Sequence, residues 1–458
     1  MNLSISEIAA ACSGYVLDGS DDSARVTSVS IDTRTVAHGA LFVPIKGTRV
    51  DGHDFLAAAA EKGAVCVLSE RDDAGADCGT AVIRVDSARK ALMDLAHYYL
   101  KLHNVKVIGI TGSAGKTTTK DMIHAVLSRR YKTKKTIGNY NNDLGMPLSI
   151  FRLEPGDEVI VLEMGMNHAG EIHKLSLTGE PDVAIITNIG DAHIENLGSR
   201  EGILHAKLEI IDGLKTGGRL ILNGDDPLLT GEIAAKKIGT IQTIYPKQDS
   251  IIKTEPLGLA GTRCHFNYLG EDIRLTVPVP GNHMVINALI ATAAAKEFGL
   301  SPDEISQGFD DFTPPEGRLN VLKLNEMTII SDVYNASPAS VKEAINALLY
   351  EKNNKSRRVI VLGDMAELGG FSEALHREVG THAAQAGIDF LVAIGTKSKH
   401  IAEEFTKLNK NAIHFDDKES FINNWQQILK PNDTVLIKAA RSMKFEQIVE
   451  QLSTQLSV

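Results

Sequence analysis

The sequence predicts an α/β protein of three domains: a small N-terminal α/β domain over residues 1–86, a central parallel-sheet domain over 87–314, and a C-terminal, doubly wound, Rossmann-like domain over 315–458. Three observations predict it. A chain of 458 residues is about three domains long. Its apolar runs are short and continuous, and helical stretches separate them, which is the pattern of parallel strands covered on both faces. Two prolines and a glycine in Phe312-Thr313-Pro314-Pro315-Glu316-Gly317 interrupt that alternation and mark a linker.

Composition excludes several classes. Hydrophobic residues make up 43 % and charged residues 23 %, so each third can bury a core of its own. The 48 basic and 58 acidic residues give a net charge of -10 with no Lys/Arg-rich run, which argues against a nucleic-acid partner. Cys12, Cys66, Cys78 and Cys264 never reach Cys-x-x-Cys spacing, so a zinc ribbon, a redox pair and a disulfide framework are disfavoured and a reducing cytoplasm is expected. No run of about 18 apolar residues exists, and the N-terminus lacks a basic segment followed by an apolar one, so neither a membrane span nor secretion is expected.

In the first domain Val26-Ile31, Ala40-Pro44 and Ala64-Leu68 read as strands between Gly and Asp turn signals, and Phe55-Lys62 as a helix. From Ser87 the apolar positions Ala91, Leu92, Leu95, Ala96, Tyr99 and Leu100 follow helical period and lead into the strand Val105-Ile110. The strands Val159-Leu162, Val183-Ile189 and Arg219-Leu222 follow, then a strand-rich stretch from Thr240 to Val279 and an Ala-rich helix, Asn282-Phe298, stopped by Gly299. Beyond the linker, strands are expected at Thr328-Val333, Val359-Leu362, Phe390-Ile394 and Thr434-Ile437, with helices from Ala339, Glu373, Lys399 and Lys444.

The strand Val105-Ile110 opens into Thr111-Gly112-Ser113-Ala114-Gly115-Lys116-Thr117-Thr118-Thr119, and a helix with Met122, Ile123, Val126 and Leu127 on one face comes next. Strand, glycine loop and helix in that order make a phosphate cradle. The glycines turn backbone N–H groups inward, the helix N-terminus adds its positive end, Lys116 reaches the phosphates and Thr117 can ligate Mg²⁺. The spacing is Gly-x-x-Gly-Lys-Thr rather than the strict P-loop template.

Other polar groups should reach the same sheet edge. The strand Val159-Leu162 ends in Glu163, which a parallel neighbour places beside the phosphates as a metal carboxylate. Val183-Ile189 runs into Gly190-Asp191-Ala192-His193; a histidine in such a turn is as often a structural hydrogen-bonder as a metal contact. Lys207 lies on a helical stretch after His193, where a lysine is usually solvated.

Taken together, these motifs resemble the Mur ligase family, ATP-dependent amide ligases of peptidoglycan precursor synthesis. The resemblance covers the whole chain. It rests on the glycine loop, Glu163-Met164-Gly165, Thr187 to His193, Pro280-Gly281-Asn282-His283-Met284-Val285-Ile286-Asn287-Ala288, Gly317-Arg318-Leu319 and Asp332-Val333-Tyr334-Asn335-Ala336-Ser337-Pro338. Asn139 to Pro147 and Gly363-Asp364-Met365-Ala366-Glu367-Leu368-Gly369 look like the branch whose substrates are UDP-N-acetylmuramoyl-tripeptide and D-alanyl-D-alanine. The Asp-Asn-Pro-Arg motif of the preceding ligase is absent, and Ser337 stands where the family usually has Asn.

The resemblance implies roles residue by residue. Gly112, Ser113, Ala114, Gly115, Lys116, Thr117 and Thr118 would cradle ATP, with Asn282, His283 and Asn287 on the nucleotide and Arg318 and Asp332 closing on it from the last domain. Thr117, Glu163, His193 and a carbamylated Lys207 would hold Mg²⁺; Lys116, His193, Lys207 and Arg318 would be catalytic. Ser30, Thr33, Arg34, Lys46, Gly47, Asp51 and His53 resemble the uridine-diphosphate segment, although Asp32 and Asp51 also suit turns. Asn139, Asn142, Tyr334, Asn335 and Ser337 would contact the remaining substrate. A monomer is expected. Two other readings stay open: a sister ligase such as a folylpolyglutamate synthase, and a P-loop binding module without catalysis.

Overall fold

The computed structural model describes residues 1–17, 24–74, 78–325, 327–351 and 356–456. Three main sheets follow one another along the chain. In the first, Tyr15–Val16 pairs antiparallel with Ala81–Arg84, and Ala64–Ser69, Ala40–Phe42 and Ser28–Ser30 continue it in parallel. The second has six parallel strands in the order Gln242–Ile244, Arg219–Leu222, Val183–Ile186, Lys106–Thr111, Val159–Glu163 and Thr133–Lys135. The third begins with the hairpin Asn320–Leu324 and Met327–Ser331, then runs in parallel through Thr434–Lys438, Arg358–Gly363, Phe390–Ile394 and Asn411–Phe415. A three-stranded antiparallel sheet, Ile251–Pro256, Thr262–Tyr268 and Glu271–Val277, fills the strand-rich stretch.

The central strands are buried along their length, as continuous apolar runs require: Val159–Glu163 and Val183–Ile186 have no exposed position. The helix Lys116–Leu127 buries Met122, Ile123, Val126 and Leu127 against the helices Asn282–Glu297 and Pro302–Asp310. The approach is close enough that a Cβ on Gly308 would lie 2.4 Å from the Val126 Cα.

Several elements differ from expectation. The strand Val183–Ile186 stops three residues early because Thr187 and Asn188 turn to bond the glycine loop. Val26-Ile31 divides: Arg25–Val26 pairs with Leu3–Ser4, while Ser28–Ser30 joins the main sheet. The helices Ile5–Ala11, Glu232–Ile238, Pro302–Asp310 and Lys418–Ile428 and the strands Ala81–Arg84, Thr133–Lys135, Asn320–Leu324 and Asn411–Phe415 were not anticipated. Two of those helices carry complete capping boxes, Ser4 with Glu7 and Ser301 with Glu304.

All four cysteines are free and buried; burial raises the thiols of Cys12 and Cys264 to about 12 and pushes those of Cys66 and Cys78 upward as well. Among the described residues no helix is long and apolar enough to cross a membrane.

His124, on the helix that follows the glycine loop, gives stability a pH dependence. Burial lowers its imidazole to about 4, and the Lys135 ammonium adds to this. Between that value and the ordinary 6.5 the unfolded chain binds the extra proton, so this residue's contribution to stability rises with pH over that window and is lost as pH falls through it. His124→Gln should flatten a slope of at most about 1.4 kcal/mol per pH unit, read from urea midpoints between pH 4 and 7. An unchanged slope refutes the assignment.

Candidate active site

The glycine loop lies at the carboxyl end of the central strand Lys106–Thr111, where a parallel sheet opens its ligand edge. Gly112 (φ +149°) and Gly115 (φ +80°) take conformations that other residues rarely adopt. A Cβ on Gly112 would fall 1.9 Å from Thr187 Oγ1, and one on Gly115 2.9 Å from the Asn287 amide. The loop is locked from the adjacent strand: Asn188 Oδ1 accepts from Ala114 N–H at 2.9 Å, Ser113 Oγ accepts from Gly190 N–H at 2.8 Å, and Thr187 Oγ1 donates to the Ala114 carbonyl at 2.6 Å. No side chain caps the helix Lys116–Leu127, so its first N–H groups face the cleft free for an anion. Gly112→Ala should therefore cost about 2 kcal/mol or more of stability and abolish nucleotide binding. Denaturant unfolding and calorimetric titration check it, and near-normal values in both would overturn it.

Lys116 Nζ donates to the Gly112 carbonyl at 2.6 Å. Burial lowers its ammonium; nearby Glu163 and Glu367 oppose that shift and Arg318 adds to it. Glu163 closes its strand with a fully enclosed side chain: Oε1 accepts from Asn141 Nδ2 at 2.9 Å, while Oε2 makes no hydrogen bond and lies 3.7 Å from Lys120 Nζ. His193 precedes the short helix Ile194–Leu197 at φ +65°, and its Nδ1 comes within 2.5 Å of Glu367 Oε2 without hydrogen-bond alignment. Lys207, on the helix Arg200–Leu208, is 1 % exposed, and its ammonium makes no hydrogen bond or ion pair among the described residues. Burial holds its pKa well below the usual lysine range, and Lys116 lowers it further.

The third sheet supplies the opposite wall. Arg318 donates from Nη2 to Thr117 Oγ1 at 3.1 Å and lies 4.1 Å over the Tyr334 ring, which Arg441 also approaches at 5.7 Å. Asp332 Oδ2 accepts from Lys438 Nζ at 2.6 Å, and the same ammonium donates to the Asn335 carbonyl at 2.7 Å. Ser337 Oγ bonds Ser340 as the helix Pro338–Leu348 begins. His283 Nδ1 lies 3.1 Å from Glu343, and Asn282 Oδ1 accepts from Tyr350 OH at 2.5 Å. Between the walls is a cleft of about 720 Å³ lined by Ser113 to Thr118, Glu163, His193, Asn287, Arg318, Asp332 and Tyr334, with Asn139 and Asn142 at one side.

Ser30, Thr33, Arg34, Lys46, Gly47, Asp51 and His53 do not line this cleft. Ser30 Oγ bonds the Asp32 carbonyl, and Arg34 pairs with Asp32 at 2.6 Å. Lys46 bridges to Asp51, Gly47 N–H donates to Val50, and the Thr33 carbonyl accepts from Lys62. Asp51 accepts from the backbone and ring of His53, whose Nε2 accepts from Glu70 N–H, so that buried imidazole has both nitrogens engaged. Asn142 caps the turn into Gly145–Ile150. Asn141, Glu367, Lys438 and Arg441 also line the cleft, and the sequence does not single them out. Asn141 and Glu367 stood in the quoted motifs, but nothing in the sequence told which of several Asn or Glu would turn inward.

Among the described residues no three His, Cys, Asp or Glu side chains gather as a metal site. The expected donors include only two of those types, Glu163 and His193, beside a threonine and a lysine. They still suit Mg²⁺, which takes one or two carboxylates and completes its shell with phosphate and water: Glu163 offers a buried oxygen that accepts no hydrogen bond among the described residues.

A glycine loop at the edge of an all-parallel sheet, covered by a second parallel-sheet unit, defines a P-loop nucleotide-binding protein. Residues 110–295 match the Mur ligase middle domain, 317–441 the Mur ligase glutamate ligase domain and 25–100 the Mur ligase family catalytic domain. The UDP-N-acetylmuramoyl-tripeptide–D-alanyl-D-alanine ligase of Bacillus subtilis is 40 % identical over 98 % of both chains. A MurF crystal structure from Acinetobacter baumannii superimposes with a TM-score of 0.92 at 30 % identity over 99 % of both chains. A MurF ligase from Thermotoga maritima in complex with ADP gives 0.82 at 28 % identity, over 94 % of this chain and 97 % of that one. The chain belongs to the Mur ligase family.

Proposed function

We infer that this chain is an ATP-dependent ligase that joins D-alanyl-D-alanine to UDP-N-acetylmuramoyl-tripeptide, the step that completes the cytoplasmic UDP-muramoyl-pentapeptide. The observation that carries this reading is the full-length similarity to ligases of that name, together with a cleft whose two walls bring Lys116, Glu163, His193 and Arg318 to one P-loop.

An amide cannot form directly from a carboxylate, because the carbon is a poor electrophile and oxide a poor leaving group. The γ-phosphoryl group of ATP passes to the terminal carboxylate of the tripeptide, the dipeptide amine attacks the acyl phosphate, and phosphate leaves. Lys116 and the loop amides hold the phosphates and Arg318 stabilises charge on the group in flight, so positioning and electrostatics supply most of the rate. Thr117, Glu163, His193 and a carbamylated Lys207 would hold Mg²⁺, whose chemistry here is to offset the repulsion between phosphate and carboxylate. Asn282, His283, Asn287 and Asp332 serve the nucleoside end, and Asn139, Asn142, Tyr334, Asn335 and Ser337 face the other substrates. The turn-locked first-domain segment from Ser30 to His53 serves the uridine diphosphate, in a domain of its own ending near residue 86. Closure about Pro314-Pro315 excludes water that would hydrolyse the acyl phosphate.

A coupled phosphate-release assay tests the reading. Release only when UDP-muramoyl-tripeptide and D-alanyl-D-alanine are both present supports it. Turnover with folate and glutamate, or none with any pair, rejects it.

A further inference from the structure

The contact between His193 and Glu367 joins two loops from different sheets. His193 follows the central strand Val183–Ile186 through a short loop, and Glu367 follows Arg358–Gly363 of the third sheet in the same way. Both residues have positive φ, +65° and +62°, a conformation that strains a residue with a Cβ. Their loops meet in backbone as well: the Glu367 carbonyl accepts from Glu195 N–H at 3.3 Å. A Cβ on Gly369 would sit 3.0 Å from Glu195 Cγ, so the two loops pack closely there.

The ring is divided by this contact. Nδ1, 2.5 Å from Glu367 Oε2, is shut off from solvent, while the imidazole as a whole is 18 % exposed and lines the cleft. The accessible edge is therefore the one bearing Nε2. Histidines that bind metal ordinarily give their other ring N–H to a carboxylate, which fixes tautomer and orientation. Glu367 supplies such a carboxylate, its Oε2 2.5 Å from Nδ1.

We propose that Glu367 is a positioning residue: it fixes the His193 ring with Nε2 toward the cleft, so that the magnesium-binding form of the central sheet is completed only when the third sheet docks. The proposal rests on the reading of His193 as a metal contact. It also gives the third sheet a role in assembling the metal site, besides carrying Arg318.

The test measures Mn²⁺ binding to the full-length protein in the presence of ADP, by the loss of the free-ion paramagnetic signal, for wild type, E367A, E367Q, H193A and the double variant E367A/H193A. Glu367→Ala should weaken Mn²⁺ binding about 10- to 100-fold. Glu367→Gln should recover most of that loss, because its amide oxygen can accept from Nδ1–H in the place of the carboxylate. The double variant should bind no worse than H193A. Wild-type binding by E367A overturns the proposal, as does a glutamine variant as weak as the alanine one, or additive losses in the double variant. Unaltered binding by H193A also overturns it. The ligase reading is judged separately, by whether phosphate release at saturating metal still requires both peptide substrates.

Discussion

Lys207→Ala is expected to abolish turnover while ATP still binds, and a short carboxylic acid such as acetate is expected to restore part of the rate. A lysine 1 % exposed, whose ammonium makes no hydrogen bond or ion pair among the described residues, has an environment that disfavours its own charge. Burial and the neighbouring Lys116 both lower its pKa, so the side chain is held toward the neutral amine. A neutral amine is the form that adds carbon dioxide: the nitrogen lone pair attacks the carbon, a proton is released, and the product is an anionic carbamate. That anion would face the Lys116 ammonium as an opposite charge, where the amine offers none. Alanine removes it and leaves a space that a small carboxylate can enter. Lys207→Met, of similar volume and without nitrogen, should fold as well as wild type and be as inactive as the alanine variant. Phosphate release measures the first effect and calorimetric titration the second; full activity in either variant removes the carbamate from the mechanism.

Arg318→Ala should lower kcat by about 10³-fold or more, the scale found for arginines that meet a transferring phosphoryl group. The guanidinium is held on one side by the Thr117 hydroxyl at 3.1 Å and on the other by the Tyr334 face at 4.1 Å. It thus reaches the P-loop already oriented, and its planar fork can pair with phosphate oxygens in a way that a lysine point charge cannot. Arg318→Lys should accordingly recover little of the loss, whereas Tyr334→Phe keeps the aromatic face and should stay within about threefold of wild type. Single-turnover phosphate release isolates the step. A lysine variant near wild-type kcat would mean that charge alone suffices.

Much of this arrangement was legible in the sequence because strand, loop and helix signals agree there. Val107–Ile110 and Val159–Leu162 carry no charged or polar side chain, and a parallel sheet puts whatever follows such a run at one edge. Reading was weaker where a contact depends on two distant segments. Glu367 and Lys438 reach the cleft through the docking of the third sheet against the second, and the residues near them in sequence carry no trace of it. Asn141, rather than Asn139 or Asn142, bonds Glu163 because Gly165 packs so tightly against it, with a Cβ position 2.8 Å from the Asn141 side chain. The strand Val183–Ile186 ends before Thr187 and Asn188, which look like strand residues: Thr187 N–H still reaches the Thr111 carbonyl, but both side chains and the Asn188 carbonyl bond the glycine loop. The helices Ile5–Ala11 and Pro302–Asp310 announced themselves through Ser and Glu three residues apart, a signal present and unread.

The four enclosed cysteines have a practical consequence. Thiol reagents attack the thiolate at the surface, and each native thiol is both buried and held protonated. The wild-type chain is thereby silent toward maleimide dyes, and a cysteine introduced at Leu102 on the central unit and another at Leu408 on the last, 52 % and 46 % exposed, become the reactive pair. Fluorophores at those two points turn the angle between the sheets into an optical signal, followed in solution as nucleotide and tripeptide arrive.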